Sequence, residues 1–516
     1  MKKWISLLLI VLALTALFSC SCKKNKNPVT PPIDGGEINN GDDNGDDTQP
    51  IDVVKTLNKE YVLKAAFLDG KNVTSNFGLF SVTFKDDLTM KVVINYNFPI
   101  IRTSTYEILG SVIMETYGKQ TYQYTIIGDN LFTTYDDLGD IIEITLKPKE
   151  EENMNNAVEF DSLLFGEDIS LTKKYNYCPA IIYDTEDGQQ IMHVWYCTNR
   201  DSGVMMDYIG YRKGIQQEDG KWLFSDEEIV LSPTSETWDA RHTCDPSVIK
   251  GEFNYHDVKY YYLMAYLGCT SEDYQKNETG FALSVTPYGP WVKIDEINPI
   301  VPWYDDGNIE VEEAKYQSYK GTSTIYWGTG MPSLVSIDGK GRFLLFYQST
   351  LRGTGIKEID LTNAAEPIVK YTSSLTSKNI VNSQSQNCRI GIPDFAYDPV
   401  NKRFYVTSVT NERNPADVTL TRVNSHSFVA YLENIESMED LATLLNGGTY
   451  SWKIVGYIGP NETGWERNHN PGIVKDCYGR IPDANKIQVI VSTGHNSWAN
   501  ENIFTYRLYG HTFIIA

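Results

Sequence analysis

Two aspartates stand beside prolines at the start of apolar, strand-forming runs. Asp245 precedes Pro246, and Asp394 follows Pro393. Two carboxyl groups that converge on one site can share acid–base chemistry, one ionised and the other able to donate a proton. Cleavage of a glycosidic bond uses such a pair. The sequence therefore predicts a catalytic carboxyl pair, provided that the fold brings these two strand starts together.

The fold can do so because the same kind of opening occurs five times. Each opening is a proline followed by a small or acidic residue and a run of β-forming residues, and a second such run follows. The prolines are Pro179, Pro246, Pro332, Pro393 and Pro471. A repeated unit with strand content predicts a radial array whose first strands line a central channel. We expect an all-β protein with a five-bladed β-propeller at 165–516; a β-sandwich with chance prolines is the alternative.

Two segments lead into these openings and mix acids with arginine, histidine or tryptophan. Asp239 and Glu466 are the candidate general acids, with Glu236 and Glu278 as further loop acids. The candidate substrate-binding residues are Trp238, Arg241, His242, Arg467 and His469. Each of these residue types is more often a hydrogen-bonded structural group than a catalyst, so the assignment depends on where the fold places them.

The openings resemble those of a known group. Asp-Pro-Ser-Val at 245–248 and Ile-Pro-Asp-Phe at 392–395 are similar to the strand openings of the five-bladed glycoside hydrolases, namely the family 43 arabinanases and β-xylosidases and the β-fructosidases. Tyr-Gly-Pro-Trp at 288–291 resembles their blade-edge turn. The resemblance covers roughly 170–516. It implies that Asp245 is a general base or transition-state stabiliser and that Asp394 tunes the acid and orients the substrate.

The chain also departs from that pattern. Cys178 stands where the family has an acidic residue in the first blade, and no glutamate lies two residues before any of the five prolines. We therefore keep two hypotheses: hydrolysis of O-glycosidic bonds of oligo- or polysaccharides, and glycan binding without hydrolysis on the same fold. A scaffold or protein-binding role is a third alternative, which gains if Asp245 faces a hydrophobic plug.

Four cysteines fall at the edges of the first two units. Cys178 and Cys244 are at the starts of first strands, and Cys197 and Cys269 are at the ends of second strands. Pairs 178–197 and 244–269 are sterically plausible disulfides because antiparallel neighbours meet there. Pairing across the two units, a four-cysteine metal site and reduced buried thiols remain open. We predict no cofactor, with a structural ion in the channel as an open alternative.

The N-terminus has the pattern of a secreted, lipid-anchored protein. Residues 1–19 form a predicted signal peptide, and the sequence before Cys20 resembles the bacterial lipobox, which implies lipidation of Cys20. Ordinary secretion with a free Cys20 is the alternative. Residues 20–55 are rich in Asp, Gly, Asn and Pro and predict a disordered acidic linker rather than a calcium loop. We expect an extracytoplasmic protein anchored to the cell membrane or the outer membrane.

Residues 56–149 predict a separate small domain of antiparallel strands, a barrel or a sandwich. Its alternating pattern resembles the lipocalin-like domains of bacterial lipoproteins. We favour a spacer role, and ligand binding is the alternative. The net charge of −22 excludes nucleic acid as an expected partner because no basic stripe can neutralise phosphates. The expected partners are carbohydrate and, through the anchor, a membrane; we expect a monomer.

Overall fold

The structure is a computed structural model of the 516-residue chain. It describes residues 60–515, with gaps at 70, 74–78, 86–87, 96–98, 110, 128–129, 138–139, 149–156, 167–172, 187, 271–274, 321–325, 413–423 and 495–502. The predicted signal peptide, Cys20 and the predicted linker lie outside the described residues. Within them, no helix is both long and apolar enough to cross a lipid bilayer.

The first nine strands form one closed antiparallel sheet. They are β1 (Glu60–Leu68), β2 (Lys71–Asn72), β3 (Leu79–Phe84), β4 (Thr89–Asn95), β5 (Pro99–Leu109), β6 (Val112–Tyr117), β7 (Gln120–Ile127), β8 (Asn130–Asp137) and β9 (Asp140–Pro148). From β3 to β9 each strand pairs with the next, and β1 pairs with both β3 and β9, which closes the barrel. Alternate residues such as Val82, Val92 and Ile144 fill the interior, as the two-residue period of a strand requires. These strands all lie inside 56–149.

The remaining strands, β10 to β30, form five groups that we call blades 1 to 5, one of five strands and four of four. Strand β10 (Leu163–Phe165) comes first along the chain and belongs to blade 5. Blade 1 contains β11 (Asn176–Glu186), β12 (Gln189–Asn199), β13 (Asp207–Gln216) and β14 (Trp222–Phe224), with β15 (Glu228–Leu231) also on β13. Blade 2 contains β16 (His242–Tyr255), β17 (Val258–Cys269), β18 (Glu278–Ser284) and β19 (Val292–Lys293).

The later blades repeat this order. Blade 3 contains β20 (Thr329–Ser336), β21 (Arg342–Ser349), β22 (Gly353–Asp360) and β23 (Ile368–Ser374). Blade 4 contains β24 (Asp394–Asp398), β25 (Arg403–Val409), β26 (Ser427–Leu432) and β27 (Lys453–Ile458). Blade 5 contains β28 (Arg467–Lys475), β29 (Lys486–Gly494), β30 (Arg507–Ile514) and β10. The described helices are α1 (Ile309–Tyr319), α2 (Met438–Leu445) and α3 (Pro460–Thr463).

The ring is closed by strands from both ends of this region. Strand β10 pairs antiparallel with β30, with Leu163 opposite Tyr509. The inner strands β28 and β11 pair in parallel, with Ile181 opposite Val474. Apolar side chains of neighbouring blades pack together, as Phe346 of blade 3 does on Phe395 of blade 4, with ring centroids 4.0 Å apart. The predicted fold, a β-propeller preceded by a smaller antiparallel barrel, is confirmed.

The prolines explain how the inner strands begin. Proline cannot donate a ladder hydrogen bond, and the pairing register shifts across the opening in β11, β16, β20 and β28. The residue before the proline has a left-handed backbone in the same four strands: Cys178, Asp245, Met331 and Asn470, with φ of 52°, 47°, 49° and 45°. Such bulges redirect side chains, and residues other than glycine adopt this conformation at a cost that is often found at functional sites.

Candidate active site

The five openings meet at the centre of the ring. A cavity of about 30 Å³ lies there, lined by the five prolines and their neighbours, Asp245 and Asp394 among them. The two strand starts that carry Asp245 and Asp394 therefore lie beside one cavity. A cavity of this size holds one or two water molecules. A sugar ring does not fit inside it, so a saccharide could only lie above this opening.

Asp394 is held by three groups from two other blades. Its Oδ1 accepts a hydrogen bond from Ser333 Oγ at 2.7 Å and from the Lys475 ammonium at 2.6 Å. Its Oδ2 accepts one from the backbone N–H of Ile473 at 2.8 Å. Lys475 is buried, with 1% of its side chain exposed. Both oxygens are thus engaged within the protein, which favours a structural role for Asp394 over the predicted catalytic one.

The same position in two other blades makes an equivalent bond. Ser247 Oγ accepts from the backbone N–H of Leu334 at 2.9 Å, and Ser333 Oγ accepts from that of Phe395 at 3.0 Å. In blades 2, 3 and 4 the residue directly after the opening proline therefore binds the inner strand of the next blade, from blade 2 to 3, 3 to 4 and, through Asp394, 4 to 5. Asp394 is the acidic member of a series of blade-to-blade hydrogen bonds.

Asp245 has a different environment. It is 6% exposed, and its backbone N–H donates to Cys197 Sγ at 2.9 Å. Burial raises the pKa of Asp245 to about 7; a hydrogen bond with Cys178 opposes this rise, and the charge of Asp207 adds to it. A carboxyl with such a pKa exchanges a proton readily near neutral pH, which suits acid–base chemistry.

The cysteines beside Asp245 are paired across two blades. Cys197 at the end of β12 and Cys244 in β16, which are 47 positions apart in sequence, form a disulfide. Of the alternatives left open, pairing across the two units is the one found; the pairs 178–197 and 244–269 do not form, and Cys178 and Cys269 carry thiols. Cys197 lies opposite Tyr177 in the β11–β12 ladder, and its Cα is also only 5.0 Å from that of Cys244 in the next inner strand. Burial raises the pKa of the Cys178 thiol.

The same atoms bear on metal binding. The sulfur atoms of Cys178, Cys197 and Cys244 and a carboxylate oxygen of Asp245 lie within 4.8 Å of one another. Zinc is bound by thiolates and carboxylates at such spacings. Because Cys197 and Cys244 are bonded to each other, these four groups do not form a set of metal ligands in this state.

Asp207, which the sequence analysis missed, is a hydrogen-bonding centre near the opening. Its Oδ1 accepts from the hydroxyls of Tyr175 at 2.6 Å and Tyr177 at 3.0 Å, and its Oδ2 lies 2.8 Å from His242 Nδ1. Asp207 and His242 are 2% and 1% exposed. Asp207 begins β13, which runs parallel to β11. The start of the third strand of a blade therefore lies at the same end as the opening of its first strand. An acid at that position could have been identified from the sequence as a candidate site residue.

Asp239, a predicted acid, is fully buried. Its carboxylate accepts hydrogen bonds from Lys293 at 2.5 Å, Thr237 at 2.6 Å and Tyr266 at 3.1 Å. Trp238 lies beside it and packs on Tyr266, with ring centroids 5.3 Å apart. An ion pair closed within blade 2 favours a structural role for Asp239, because its oxygens point at protein donors rather than at the opening.

The other candidate residues lie at the starts of two inner strands, Arg241 directly before β16 and the remaining ones at the start of β28. Arg241 donates from its guanidinium to the carbonyl of Met205 at 3.3 Å. Arg467 begins β28 and is 2% exposed. Burial and the charge of Arg467 lower the pKa of His469 to about 3. This imidazole is therefore neutral near pH 7, and one of its ring nitrogens can accept a hydrogen bond. Glu466 is half-buried directly before β28.

Glu278 is a loop acid that the structure places at the same end of blade 2 as Asp245. It begins β18, where it lies opposite Gly268 of β17, and Gly268 lies opposite Thr243 of β16. Two strand spacings separate Glu278 from the Asp245 segment, roughly 10 Å between backbones. Burial raises the pKa of Glu278 to about 7, while a hydrogen bond from the Trp303 backbone, 3.2 Å from Oε1, opposes the rise.

A scan against protein-family models finds no match, and a search of curated proteins finds no similar sequence. Solved structures do show similarity. A family 43 endo-arabinanase from Bacillus licheniformis is 14% identical over 68% of this chain and 96% of its own, with a TM-score of 0.37. An α-L-arabinofuranosidase from Podospora anserina, in complex with cellotriose, is 10% identical over 69% and 94%, with a TM-score of 0.38.

A fructofuranosidase variant from Schwanniomyces occidentalis, complexed with fructosylnystose, is 10% identical over 70% of this chain and 60% of its own, with a TM-score of 0.40. At these identities and TM-scores the likeness carries no argument about what this chain binds or cleaves. The functional proposal therefore depends on the residues of this chain.

Proposed function

We propose that this protein hydrolyses O-glycosidic bonds of oligo- or polysaccharides, with Asp245 and Glu278 as the carboxyl pair. One observation carries the proposal: the two carboxyls lie at the same end of blade 2, on parallel strands separated only by β17. Burial raises the pKa of each to about 7. Glycosidases need one ionised and one protonated carboxyl on either side of the scissile bond.

Asp245 and Glu278 are buried to different depths, and this difference can assign one of the two roles to each carboxyl. Asp245 lines the small cavity, which has room for a water molecule, so its ionised form can accept a proton from that water or stabilise positive charge on the sugar. Glu278 is half-buried at the strand start, and its neutral form can protonate the leaving oxygen.

Half-buried aromatic side chains at the opening offer faces for a sugar ring. Tyr177 and Trp327 pack against the cluster that contains Cys178, Cys244 and Leu267. Aromatic rings bury large apolar faces while their polar groups keep a hydrogen bond. These two rings are the surfaces on which we expect the sugar above the opening to rest.

The test separates the two roles by leaving group. The full chain is assayed for reducing-sugar release on a panel of oligosaccharides and for aryl release on the matching nitrophenyl glycosides. We expect Asp245→Asn to lose both activities by roughly 100-fold or more. Glu278→Gln should lose release from oligosaccharides but keep much of the nitrophenyl activity, because that leaving group needs no proton. Equal activity of both variants and the parent would refute the assignment.

Glycan binding without hydrolysis is the second candidate. It is favoured by Asp394 and Asp239, two of the predicted catalytic acids, whose carboxylates are engaged by Lys475 and Lys293. No release from any substrate, together with calorimetric binding that Tyr177→Ala weakens, would support this candidate.

We also propose that Cys20 carries a lipid that anchors the chain at the cell surface. The lipobox-like sequence before Cys20 supports this. Incorporation of labelled palmitate into the parent and not into Cys20→Ala, with the variant shifted to the soluble fraction, is the expected result. Equal labelling of both would exclude it.

A further inference from the structure

The barrel of β1–β9 contains a cavity that the propeller site does not involve. Its volume is about 450 Å³, within the range of roughly 300–1,000 Å³ found for small-molecule sites. It is lined by interior residues of β3, β4 and β5, including Phe80, Ile94 and Arg102, and by residues of β7 and β8.

A buried charged network borders this cavity. Arg102 Nε and Nη2 donate to the two carboxylate oxygens of Glu115 at 2.6 and 2.9 Å. Ser104 and Tyr124 donate to the same carboxylate at 2.5 and 2.7 Å. Arg102 is 6% and Glu115 0% exposed. Burial acts to raise the pKa of Glu115, but the bonds from Arg102, Ser104 and Tyr124 lower it overall, so the pair is ionised and its charges cancel.

One N–H donor group of Arg102, Nη1, makes no hydrogen bond within this network. Arg102 Nη1 takes part in none of the hydrogen bonds that Arg102 makes to the described residues, which use only Nε and Nη2. Arg102 lines the cavity, and its guanidinium carbon lies 3.9 Å from the centre of the Tyr122 ring. A buried guanidinium whose charge Glu115 neutralises therefore offers a donor to whatever occupies the cavity.

The walls indicate what that occupant is. Only three of the lining residues are aliphatic or phenylalanine, namely Phe80, Ile94 and Ile100, and the others are hydroxyl, amide or charged side chains. The Tyr122 hydroxyl donates to Gln120 at 2.7 Å, and Thr133, Thr134 and Asp136 line the same space. A fatty acyl chain would displace water from the exposed side chains of Gln120 and Thr134 without replacing its hydrogen bonds. An anion would meet Asp136 and an arginine that Glu115 already neutralises.

We propose that the barrel cavity binds a neutral saccharide of one or two rings. Its hydroxyl groups supply acceptors for Arg102 Nη1 and both donors and acceptors for the threonines and Gln120. One ring lies against Tyr122 or the apolar wall. This assigns a binding role to a domain that the sequence analysis favoured as a spacer, and it does not depend on hydrolysis by the propeller.

The test uses the full chain in a sugar-free detergent, with Asp245→Asn present throughout to prevent turnover. Maltose, cellobiose and xylobiose are titrated separately by calorimetry and saturation-transfer NMR, and dodecanoate is titrated as an apolar anion. The main variant replaces both charges, Arg102→Met with Glu115→Leu, because removal of one partner alone leaves a buried unpaired charge. Tyr122→Ala is the milder second variant. Tyr117→Ala, at an exposed tyrosine of β6, is the matched control.

We expect at least one disaccharide to bind, and the double replacement to weaken it roughly 10- to 100-fold, the effect of losing a hydrogen bond to a charged group. Tyr122→Ala should weaken it as well, and Tyr117→Ala should not. Binding that neither barrel variant changes would assign the sugar to the propeller and overturn the proposal. Binding of dodecanoate alone, or of no probe, would overturn it too, whether or not the propeller proves to be a hydrolase.

Discussion

The ammonium group of Lys475 lies 2.6 Å from the carboxylate of Asp394, and both side chains are buried. The two residues belong to neighbouring blades, β28 of blade 5 and β24 of blade 4. A second bond to Asp394 comes from Ser333 of blade 3. One carboxylate therefore fixes three consecutive blades around the central opening, which gives it a mechanical importance independent of any chemistry.

Asp394→Ala should destabilise the fold by about 3–5 kcal/mol, because it leaves the Lys475 ammonium buried without its counter-charge. Urea unfolding followed by tryptophan fluorescence measures this loss. The control is Asp394→Ala with Lys475→Met, which removes both charges and should recover much of the stability. A single variant as stable as the parent would show that Lys475 does not depend on Asp394.

Loss of the Ser333 hydroxyl should destabilise the fold more than loss of the Ser247 hydroxyl. Ser247→Ala removes one hydrogen bond, to the N–H of Leu334, and should cost about 1 kcal/mol. Ser333→Ala removes a bond to the N–H of Phe395 and another to Asp394, and should cost more. Thermal unfolding of the two variants in parallel measures the difference. An equal or reversed order would contradict the role given to Asp394 in the series.

Loss of the disulfide should weaken the junction of blades 1 and 2. Cys197→Ala with Cys244→Ala opens a loop of 47 residues and should lower stability by about 4 kcal/mol. Cys388→Ala, at a buried thiol, controls for cavity formation. Peptide mapping of the unreduced parent should yield the 197–244 linked pair, and recovery of 178–197 or 244–269 linkages would contradict the structure.

Asp245→Asn should change how stability depends on pH. Burial raises the folded-state pKa of Asp245 to about 7, whereas an unfolded aspartate titrates near 3.9. The unfolded chain therefore gains from ionisation as the pH rises from about 4 to 7, and the parent loses up to about 4 kcal/mol over that interval. The stability of the asparagine variant should not fall in this way, because asparagine does not ionise. Urea midpoints of both proteins at pH 4.5 and 8 measure the gap, which should widen with pH; a constant gap would mean that Asp245 is ionised throughout.

Local sequence signals were sufficient for much of the architecture. The five prolines marked the inner strands because a missing N–H and a bulge are properties of a few adjacent residues. Helix α2 also has a local signal, because its buried residues Met438, Leu441, Ala442 and Leu445 recur at helical spacing. Helix α1 was missed because its apolar residues show no helical face, although Asn308, which accepts from the N–H groups of Glu310 and Val311, is a capping signal.

The roles of individual acids could not be derived in the same way, because they depend on partners distant in sequence. Lys475 reaches Asp394 across 81 residues, and Lys293 reaches Asp239 across 54. Neither lysine differs locally from an exposed one. The cross-blade disulfide has the same origin, since the sequence showed which cysteines lie at strand ends but not which ends of different blades are neighbours.

Because of strand β10, closure of the propeller ring depends on the order in which its strands are synthesised. The residues of β10 are among the first of the propeller to leave the ribosome, yet the strand it pairs with, β30, follows all the other strands of the ring in sequence. Until that last segment arrives, β10 and the outer edge of β29 lack the strand that joins them, and exposed edges of this kind invite pairing with other chains. A nonsense mutation that removes only β30 would therefore leave the ring open and aggregation-prone rather than merely shortened.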